Sequence, residues 1–195
     1  MDATTAQKTA LRDQLVTARR RLSLLELREA AEAIAGHLLA EEPVRRAATV
    51  AAYVSVGWEP GTGPLLDALL DSGRRVILPV LLPDGDLDWA VHTGEVVSAG
   101  RGLLEPAGRR LGVEAVATAD VVLTPGLAVD RTGMRLGRGG GSYDRALGRV
   151  PVGTFTCTLL HRGELVDRVP ADPHDRPVVA AVTPAGLSRL RPGGG

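Results

Sequence analysis

Cysteine is nearly absent from this 195-residue chain, which holds only Cys157. That scarcity excludes an internal disulfide and a cysteine-rich metal site. The chain also lacks any run approaching the roughly 18 apolar residues that a membrane-spanning helix requires, and its N-terminus lacks the apolar core of a secretion signal. The formal net charge is zero, so no overall basic field favours nucleic acid. We therefore expect a cytoplasmic protein without nucleic-acid or membrane partners, and we expect a monomer.

Hydrophobic residues make up 44% of the chain, enough for one soluble domain with a full core. We expect that domain to span residues 1–190, followed by a flexible tail at 191–195. Downstream of the N-terminal region, short apolar runs alternate with helix-like segments, a rhythm typical of an α/β fold with a mostly parallel sheet flanked by helices. The expected strands are Thr49–Val56, Arg75–Val80, Asp88–His92, Val121–Leu123, Val152–Thr158 and Val178–Val182, and the expected intervening helices are Pro64–Leu70 and Ser142–Leu147.

Two helices are predicted before the first strand. Leu11 and Leu15 belong to an apolar series at helical spacing, which indicates the first helix. Ser23 and Glu26 form the S-x-x-E pattern of a capping box, which predicts a second helix that ends near Leu39.

The segment Thr124–Arg149 is the most informative part of the chain. An apolar run leads into a glycine-rich loop, and the loop leads into a predicted helix start. A strand, a glycine loop and a helix N-terminus together form a cradle for anions. Arginines in the loop can neutralise phosphate charge, and aspartates can hold a hard cation. Its glycines include Gly133, Gly137, Gly139, Gly140 and Gly141, and its charged residues include Asp130, Arg135, Arg138, Asp144 and Arg145.

This loop fits none of the common catalytic or phosphate-binding motifs. It lacks G-x-x-x-x-G-K-[ST], and Ser142 stands where a dinucleotide fingerprint needs its third glycine. A nucleophile elbow is excluded because Asp144 lies two residues after that serine. A tight surface loop with solvated arginines therefore remains open beside a phosphate site. If Ser142 caps the helix, Asp144 lies in the first turn of that helix. There its negative charge can interact favourably with the helix dipole, or the carboxylate can hold Mg²⁺.

Two further places can complete such a site. Lys8, the only lysine, shares one edge of the first helix with Arg12 and Arg19. That edge can be a rim of snorkelling side chains or a phosphate contact. Asp175 precedes the last predicted strand and can be a turn residue or a second metal ligand. The four histidines show no metal-ligand spacing.

Four segments in order resemble the 5-formyltetrahydrofolate cyclo-ligase family, also called 5,10-methenyltetrahydrofolate synthetases. The segments are LTPGLAVDRTGMRLGRGGGSYDRAL at 123–147, the Lys8–Arg12 spacing with Arg19 following, YVSVGWEPGT at 53–62 and VPADPHD at 169–175. The resemblance covers nearly the whole chain. It implies a fold of the phosphosugar-isomerase and CoA-transferase type, a requirement for ATP and Mg²⁺, and a folate substrate.

The resemblance also implies roles for individual residues. For ATP it implies Lys8, Arg12, Arg135, Leu136, Gly137, Arg138, Gly139, Gly140, Gly141, Ser142 and Tyr143. For the folate it implies Val54, Glu59 and the loop residues Arg138 to Ser142, and for Mg²⁺ it implies Asp144 and Asp175. We expect Arg138 or Arg145 to offset charge on the transferred phosphoryl group.

Ser142, Val80 and Val129 depart from residues that many relatives carry at these positions. We expect these departures to change substrate detail more than reaction class. Two alternatives stay open at this level: a paralogue that binds ATP or folate without turnover, and a sugar-phosphate isomerase or CoA-transferase relative that needs no ATP.

Overall fold

The computed structural model describes residues 3–100 and 102–191. The helices are α1 (Ala3–Arg19), α2 (Leu24–Ala40), α3 (Glu42–Arg46), α4 (Gly63–Asp71) and α5 (Ser142–Arg149), with a 3₁₀ segment at Val113–Thr118. The strands are β1 (Thr49–Ala51), β2 (Arg75–Leu81), β3 (Leu87–Val91), β4 (Val96–Ser98), β5 (Leu104–Pro106), β6 (Val121–Pro125), β7 (Ala128–Asp130), β8 (Arg135–Leu136), β9 (Phe155–Leu159), β10 (Leu165–Val166), β11 (Ala180–Thr183) and β12 (Gly186–Arg189).

A central sheet organises the fold. Within the described residues it has seven strands in the order β12-β11-β9-β6-β1-β2-β3. The neighbouring pairs from β11 to β2 are parallel, and β12 and β3 close the two edges antiparallel. The expected α/β fold with a mostly parallel sheet is therefore confirmed.

Alternating side chains place the core on both faces of this sheet. Val121 and Leu123 of β6 pack in one apolar cluster, which α2 and α4 cover with residues such as Ile34 and Leu65. Val122 points the other way, into a second cluster that contains Trp89 and residues of α5. Neighbouring strand residues face opposite sides of a sheet, so a continuous apolar strand needs cover on both faces.

The capping box and both N-terminal helices are confirmed. The Ser23 backbone N–H donates to Glu26 Oε2 over 2.8 Å, and the Glu26 backbone N–H donates to Ser23 Oγ over 3.2 Å. Helix α1 uses Leu11 and Leu15 to pack on the small sheet β10-β7-β8. Lys8, Arg12 and Arg19 of the same helix line the cleft described below.

Several expected strands have different bounds. The run expected at Thr49–Val56 ends as a strand at Ala51, because the following chain closes into a loop. In that loop the Ser55 N–H donates to Thr62 Oγ1 and the Thr62 N–H donates to Ser55 Oγ, each over 3.0 Å. Such side-chain bonds compete with the strand ladder. The strand expected from Val152 begins at Phe155, after a turn in which the Thr154 N–H donates to Pro151 O.

Other elements were not expected from the sequence. They are α3, the 3₁₀ segment and the short strands β4, β5, β7, β8, β10 and β12. The last expected strand is displaced to Ala180–Thr183. Of the predicted tail 191–195, only Arg191 lies within the described residues. In the described part of the chain, every helix falls short of the combined length and hydropathy that crossing a membrane demands.

Candidate active site

A cleft of about 1120 Å³ opens at the carboxyl ends of β1, β2 and β6. Ligands of open parallel sheets bind at this edge. The volume exceeds the roughly 300–1,000 Å³ of ordinary small-molecule pockets, so the cleft has room for more than one ligand. It gathers Arg145 and all the residues for which the family resemblance implied a role with ATP, folate or metal: Lys8, Arg12, Val54, Glu59, Arg135, Leu136, Gly137, Arg138, Gly139, Gly140, Gly141, Ser142, Tyr143, Asp144 and Asp175.

The glycine loop runs from β8 to α5 along one wall of the cleft. Gly139 and Gly141 adopt φ values of 103° and 66°, a left-handed region that glycine occupies without strain. The expectation that Ser142 caps the helix is wrong, because Gly141 is the N-cap and Ser142 is the first helical residue. Gly141 has no side chain that could accept a hydrogen bond. The first N–H groups of α5 therefore receive no side-chain acceptor from the N-cap residue. This arrangement suits an anion.

Arg135 lies beneath this loop rather than on its surface. Its side chain is buried, and Nη2 lies 3.1 Å from Asp144 Oδ1. A Cβ on Gly137 would lie 2.7 Å from Nη1 of this arginine, so a side chain at this position would have to displace the guanidinium. Asp144 Oδ1 also accepts a hydrogen bond from the Arg176 N–H over 3.3 Å. The arginine therefore orients Asp144 from below, and Asp144 lies in the first turn of α5 as expected.

The basic edge of α1 is a set of fixed contacts, not a snorkelling rim. Arg12 Nε donates to Gly137 O over 2.8 Å and so attaches the helix to the glycine loop. Lys8 Nζ lies 2.6 Å from Asp172 Oδ2 and 2.6 Å from Asp175 Oδ2. Burial lowers the pKa of Lys8, but hydrogen bonds and charge from the two carboxylates outweigh this effect and raise it above its ordinary value.

The segment 172–175 brings several oxygen and nitrogen donors together. Ligand atoms of Asp172, His174 and Asp175 all lie within 4.8 Å of one another. Burial raises the pKa of Asp175, but hydrogen bonds from Lys8 and from the Asp172 backbone N–H outweigh it and lower the pKa. The carboxylate is therefore ionised at neutral pH. Sequence spacing had indicated no metal ligand among the histidines, yet the turn places exposed His174 beside two carboxylates.

Glu59 faces the glycine loop from the opposite wall. Its Oε2 accepts a hydrogen bond from the Val56 N–H over 2.9 Å, and its Oε1 lies 3.1 Å from Arg138 Nη2. Its side chain is 9% exposed, whereas that of Arg138 is 62% exposed. Burial raises the pKa of Glu59 above its ordinary value, and the Val56 N–H and Arg138 offset this only in part.

The raised pKa of Glu59 predicts a stability effect. A carboxyl group with a higher pKa in the folded than in the unfolded chain stabilises the fold while it is protonated, and this contribution is lost as the pH rises through the folded pKa. Glu59→Gln should therefore raise Tm at pH 7, by about 2 to 4 °C for each kcal/mol recovered. The gain should shrink as the pH falls toward 4.5. Thermal melts of both proteins across this range measure it.

Glu32 offers a matched control on α2, because its carboxylate is exposed. Glu32→Gln should leave Tm nearly unchanged at both pH values. A Glu59→Gln protein that is less stable than the wild type at pH 7 would contradict the predicted cost of burying the ionised Glu59 carboxylate.

A buried ion pair at the base of the cleft was missed in the sequence. Arg19 Nε and Nη2 donate to Glu164 Oε1 and Oε2 over 2.7 and 2.8 Å, and Nη2 also donates to Gly126 O over 2.6 Å. Glu164 Oε2 accepts the His161 N–H over 2.7 Å, and His161 Nε2 lies 3.0 Å from Trp58 O. This chain of contacts joins α1 to the loop that carries Glu59.

Arg145 and Arg149 connect α5 to the turn between β2 and β3. Arg149 pairs bidentately with Asp86 over 2.9 and 2.6 Å. Arg145 donates to the backbone carbonyls of Gly85 and Gly140. Of the two arginines expected to offset phosphoryl charge, Arg145 is thus fixed to carbonyl groups, and Arg138 contacts the opposite wall.

Some expected residues have other positions. Asp130 was a possible cation ligand, but it accepts hydrogen bonds from the Thr132 and Met134 N–H groups and from the Val169 N–H, and it does not line the cleft. Its role is to fix the turn after β7. Val80 and Val129 are buried in β2 and β7, outside the residues that line the cleft. Neither valine therefore contributes a side chain to the cleft surface.

Comparison with known proteins shows the family to which the chain belongs. The model of the 5-formyltetrahydrofolate cyclo-ligase family matches residues 4–184. The 5-formyltetrahydrofolate cyclo-ligase of Mycolicibacterium smegmatis is 41% identical over 191 residues, which cover 94% of this chain and 97% of the relative. The Escherichia coli protein of the same name is 35% identical over 177 residues, covering 86% of this chain and 94% of the relative.

A solved structure extends the likeness to three dimensions. The NMR structure of Aquifex aeolicus 5,10-methenyltetrahydrofolate synthetase superposes with a TM-score of 0.81 at 29% identity, covering 96% of this chain and 95% of the other. The fold, the family match and the curated relatives agree. This chain belongs to the 5-formyltetrahydrofolate cyclo-ligase family.

Proposed function

We propose that this chain cyclises 5-formyltetrahydrofolate to 5,10-methenyltetrahydrofolate, using ATP and Mg²⁺ and releasing ADP and phosphate. The observation that carries the proposal is the 3.1 Å contact between Arg138 Nη2 and Glu59 Oε1. It joins the glycine loop, suited to phosphate, to the wall on which the family resemblance puts the folate. One cleft therefore offers adjacent places for a phosphoryl donor and its acceptor.

The proposed chemistry activates a poor leaving group. The formyl oxygen attacks the γ-phosphorus of ATP, the bond to the bridging oxygen breaks, and ADP leaves with that electron pair. N10 then adds to the formyl carbon, the carbon–oxygen bond breaks as phosphate leaves, and N10 releases its proton. The attacking atoms all belong to the substrate, so no protein nucleophile is needed. Cys157 is buried, and this burial raises the pKa of its thiol.

The residues of the cleft supply position and charge. Lys8 and Arg12 are proposed to hold the outer phosphates, and the N–H groups from Gly137 to Gly141 surround them. Arg138 is proposed to offset charge on the transferred group, and Glu59 to orient the pterin. Holding reactants in line and neutralising charge provide most of the catalysis in phosphoryl transfer.

The donor set also fits Mg²⁺. This ion prefers oxygen ligands and needs only one or two carboxylates beside phosphate and water. Asp175 and Asp144 both line the cleft, and Asp144 is oriented by Arg135 through one oxygen only. We propose that these two aspartates hold the ion. When bound, Mg²⁺ supplies neutralisation of the β- and γ-phosphate oxygens.

The direct test mixes purified protein with 5-formyltetrahydrofolate and Mg²⁺, with and without ATP. The proposal predicts methenyl absorbance that grows only when ATP is present, with one ADP per methenyl group. Binding of ATP or folate without absorbance would indicate a paralogue that lacks turnover. Folded protein that gives no ATP-dependent signal would contradict the proposal.

Asp144→Asn should lower turnover at moderate Mg²⁺ by about 100-fold or more, since a metal ligand should matter at least as much as the outer partners whose loss costs 10–100-fold. Higher Mg²⁺ should restore part of the rate. Steady-state methenyl formation against Mg²⁺ concentration measures both effects. Asp167→Asn is the matched control, because that carboxylate is fully exposed and lies 4.0 Å from Arg131. If the Asp144 variant showed the same Mg²⁺ dependence as the wild type, Asp144 would not be a ligand of the metal.

A further inference from the structure

Lys8 already occupies a cation position between two carboxylates. Its Nζ lies 2.6 Å from Asp172 Oδ2 and 2.6 Å from Asp175 Oδ2, and its side chain is 10% exposed. The Asp172 backbone N–H donates to Asp175 Oδ2 over 2.8 Å, which holds the Asp175 side chain against this turn. The buried ammonium group is thus a compact positive charge that two carboxylates hold in place.

The same carboxylates are candidates for a divalent cation. Asp175 is one of the two residues to which the proposed function assigns Mg²⁺. Asp172 has no assigned role, yet its ligand atom lies within 4.8 Å of those of Asp175 and His174. A divalent cation held by both carboxylates would lie between their oxygens. That position overlaps the one now taken by the ammonium group.

We propose that Asp172 is a further residue of the metal site and that Lys8 fills this site in the free protein, so that the metal enters only when phosphate draws Lys8 away. This inference rests on the proposed function for the identity of both ligands. Two cations so close would repel strongly in a partly buried site. Lys8 is four residues, and hence about one helical turn, from Arg12, whose guanidinium already contacts the glycine loop, so a short movement of its flexible side chain brings it to a phosphate.

The exchange couples the two ligands. A nucleotide that binds Lys8 frees the carboxylates for the metal, and by linkage the metal raises the affinity for the nucleotide by the same factor. The free protein then binds Mg²⁺ weakly. The released carboxylates would otherwise face the incoming phosphates as uncompensated negative charge.

The test measures Mn²⁺ binding to the free protein, with neither folate nor nucleotide, by the loss of the electron paramagnetic resonance signal of free Mn²⁺. Lys8→Met removes the ammonium group and keeps an unbranched side chain. We expect its Mn²⁺ affinity to rise about tenfold or more, because apparent affinity is reduced by the fraction of molecules in which the site is blocked. Its affinity for metal-free ATP should fall, so the two effects have opposite signs.

Two further variants make the test specific. Arg12→Met removes another cation of α1 that lines the cleft; it should weaken ATP binding and leave Mn²⁺ affinity unchanged. Asp172→Asn in the Lys8→Met background should reverse the gain in Mn²⁺ affinity. If Lys8→Met proves unstable, Lys8→Gln with a melt in the presence of Mn²⁺ gives the same comparison, as a larger metal-induced rise in Tm than in the wild type.

The outcomes separate this inference from the proposed function. Unchanged or weaker Mn²⁺ binding in both folded Lys8 variants would overturn the competition between Lys8 and the metal. Mn²⁺ affinity that is indifferent to Asp172→Asn would overturn the role of Asp172. Neither result depends on methenyl formation, so a failed turnover assay leaves the metal measurement intact, and the reverse also holds.

Discussion

Arg138→Ala is expected to reduce methenyl formation by about 10³-fold or more, the range seen when an arginine that stabilises phosphoryl transfer is lost. Arg138 contacts Glu59 across the cleft, and its side chain is 62% exposed, so removal should change charge at the reaction centre more than packing. Tm should stay within about 2 °C of the wild type, as for other surface substitutions. The fall should appear in kcat, with a smaller change in the KM for ATP.

Single-turnover rates and thermal melts measure these expectations. Arg131→Ala is the matched control, because that arginine is exposed, lies outside the cleft and has its guanidinium 4.0 Å from Asp167. Arg138→Lys keeps the charge but loses the planar fork and should recover only part of the rate. If turnover of Arg138→Ala stayed within about tenfold of the wild type, Arg138 would not be the residue that offsets charge on the transferred phosphoryl group. Arg145 would then be the next residue to test.

Glu164→Gln is expected to lower the free energy of unfolding by about 3–5 kcal/mol, because it leaves Arg19 as an unpaired buried cation. Both side chains are only 5% exposed, and Glu164 accepts from the guanidinium through both oxygens and from the His161 N–H. For a chain of this size the loss corresponds to a fall in Tm of about 6 to 20 °C. Chemical denaturation followed by circular dichroism gives the free energy directly.

An exposed ion pair provides the contrast. Glu42 and Arg46 lie one turn apart on α3 with side chains 72% and 79% exposed. Glu42→Gln should change the free energy of unfolding by about 0.5 kcal/mol or less. Equal effects of the two substitutions would mean that Arg19 and Glu164 do not form the buried anchor of α1.

Local patterns in the sequence were sufficient for the elements that depend on near neighbours. The capping box of Ser23 and Glu26 spans three residues, and both of its hydrogen bonds form. The apolar run Val121–Leu123 predicted a strand covered on both faces, and the two core clusters confirm it. In each case the information lies within one turn or one strand.

Contacts between distant segments could not be predicted in this way. Arg19 and Glu164 are separated by 145 residues, and no periodicity links a helix end to a turn so far away. The Lys8 contact with Asp172 spans 164 residues for the same reason. The sequence placed Lys8 on a basic edge, but only the fold shows that two carboxylates face it.

The glycine loop could be predicted only in part from the sequence. The glycine loop was visible as a motif, and the family resemblance attached roles to it. Residues and spacing alone left a solvated surface loop open as an alternative. The fold adds the buried position of Arg135 and the approach of Glu59 to Arg138, both of which depend on how the loop packs.

In the proposed reaction, the formyl oxygen of the folate receives the γ-phosphoryl group of ATP. The most direct measurement uses 5-formyltetrahydrofolate carrying ¹⁸O in the formyl group, followed by mass analysis of the phosphate released during one turnover with unlabelled ATP. Each released phosphate should carry one ¹⁸O atom. Methenyl product formed with unlabelled phosphate would contradict it, because the formyl oxygen would then have left by a route that does not pass through phosphate.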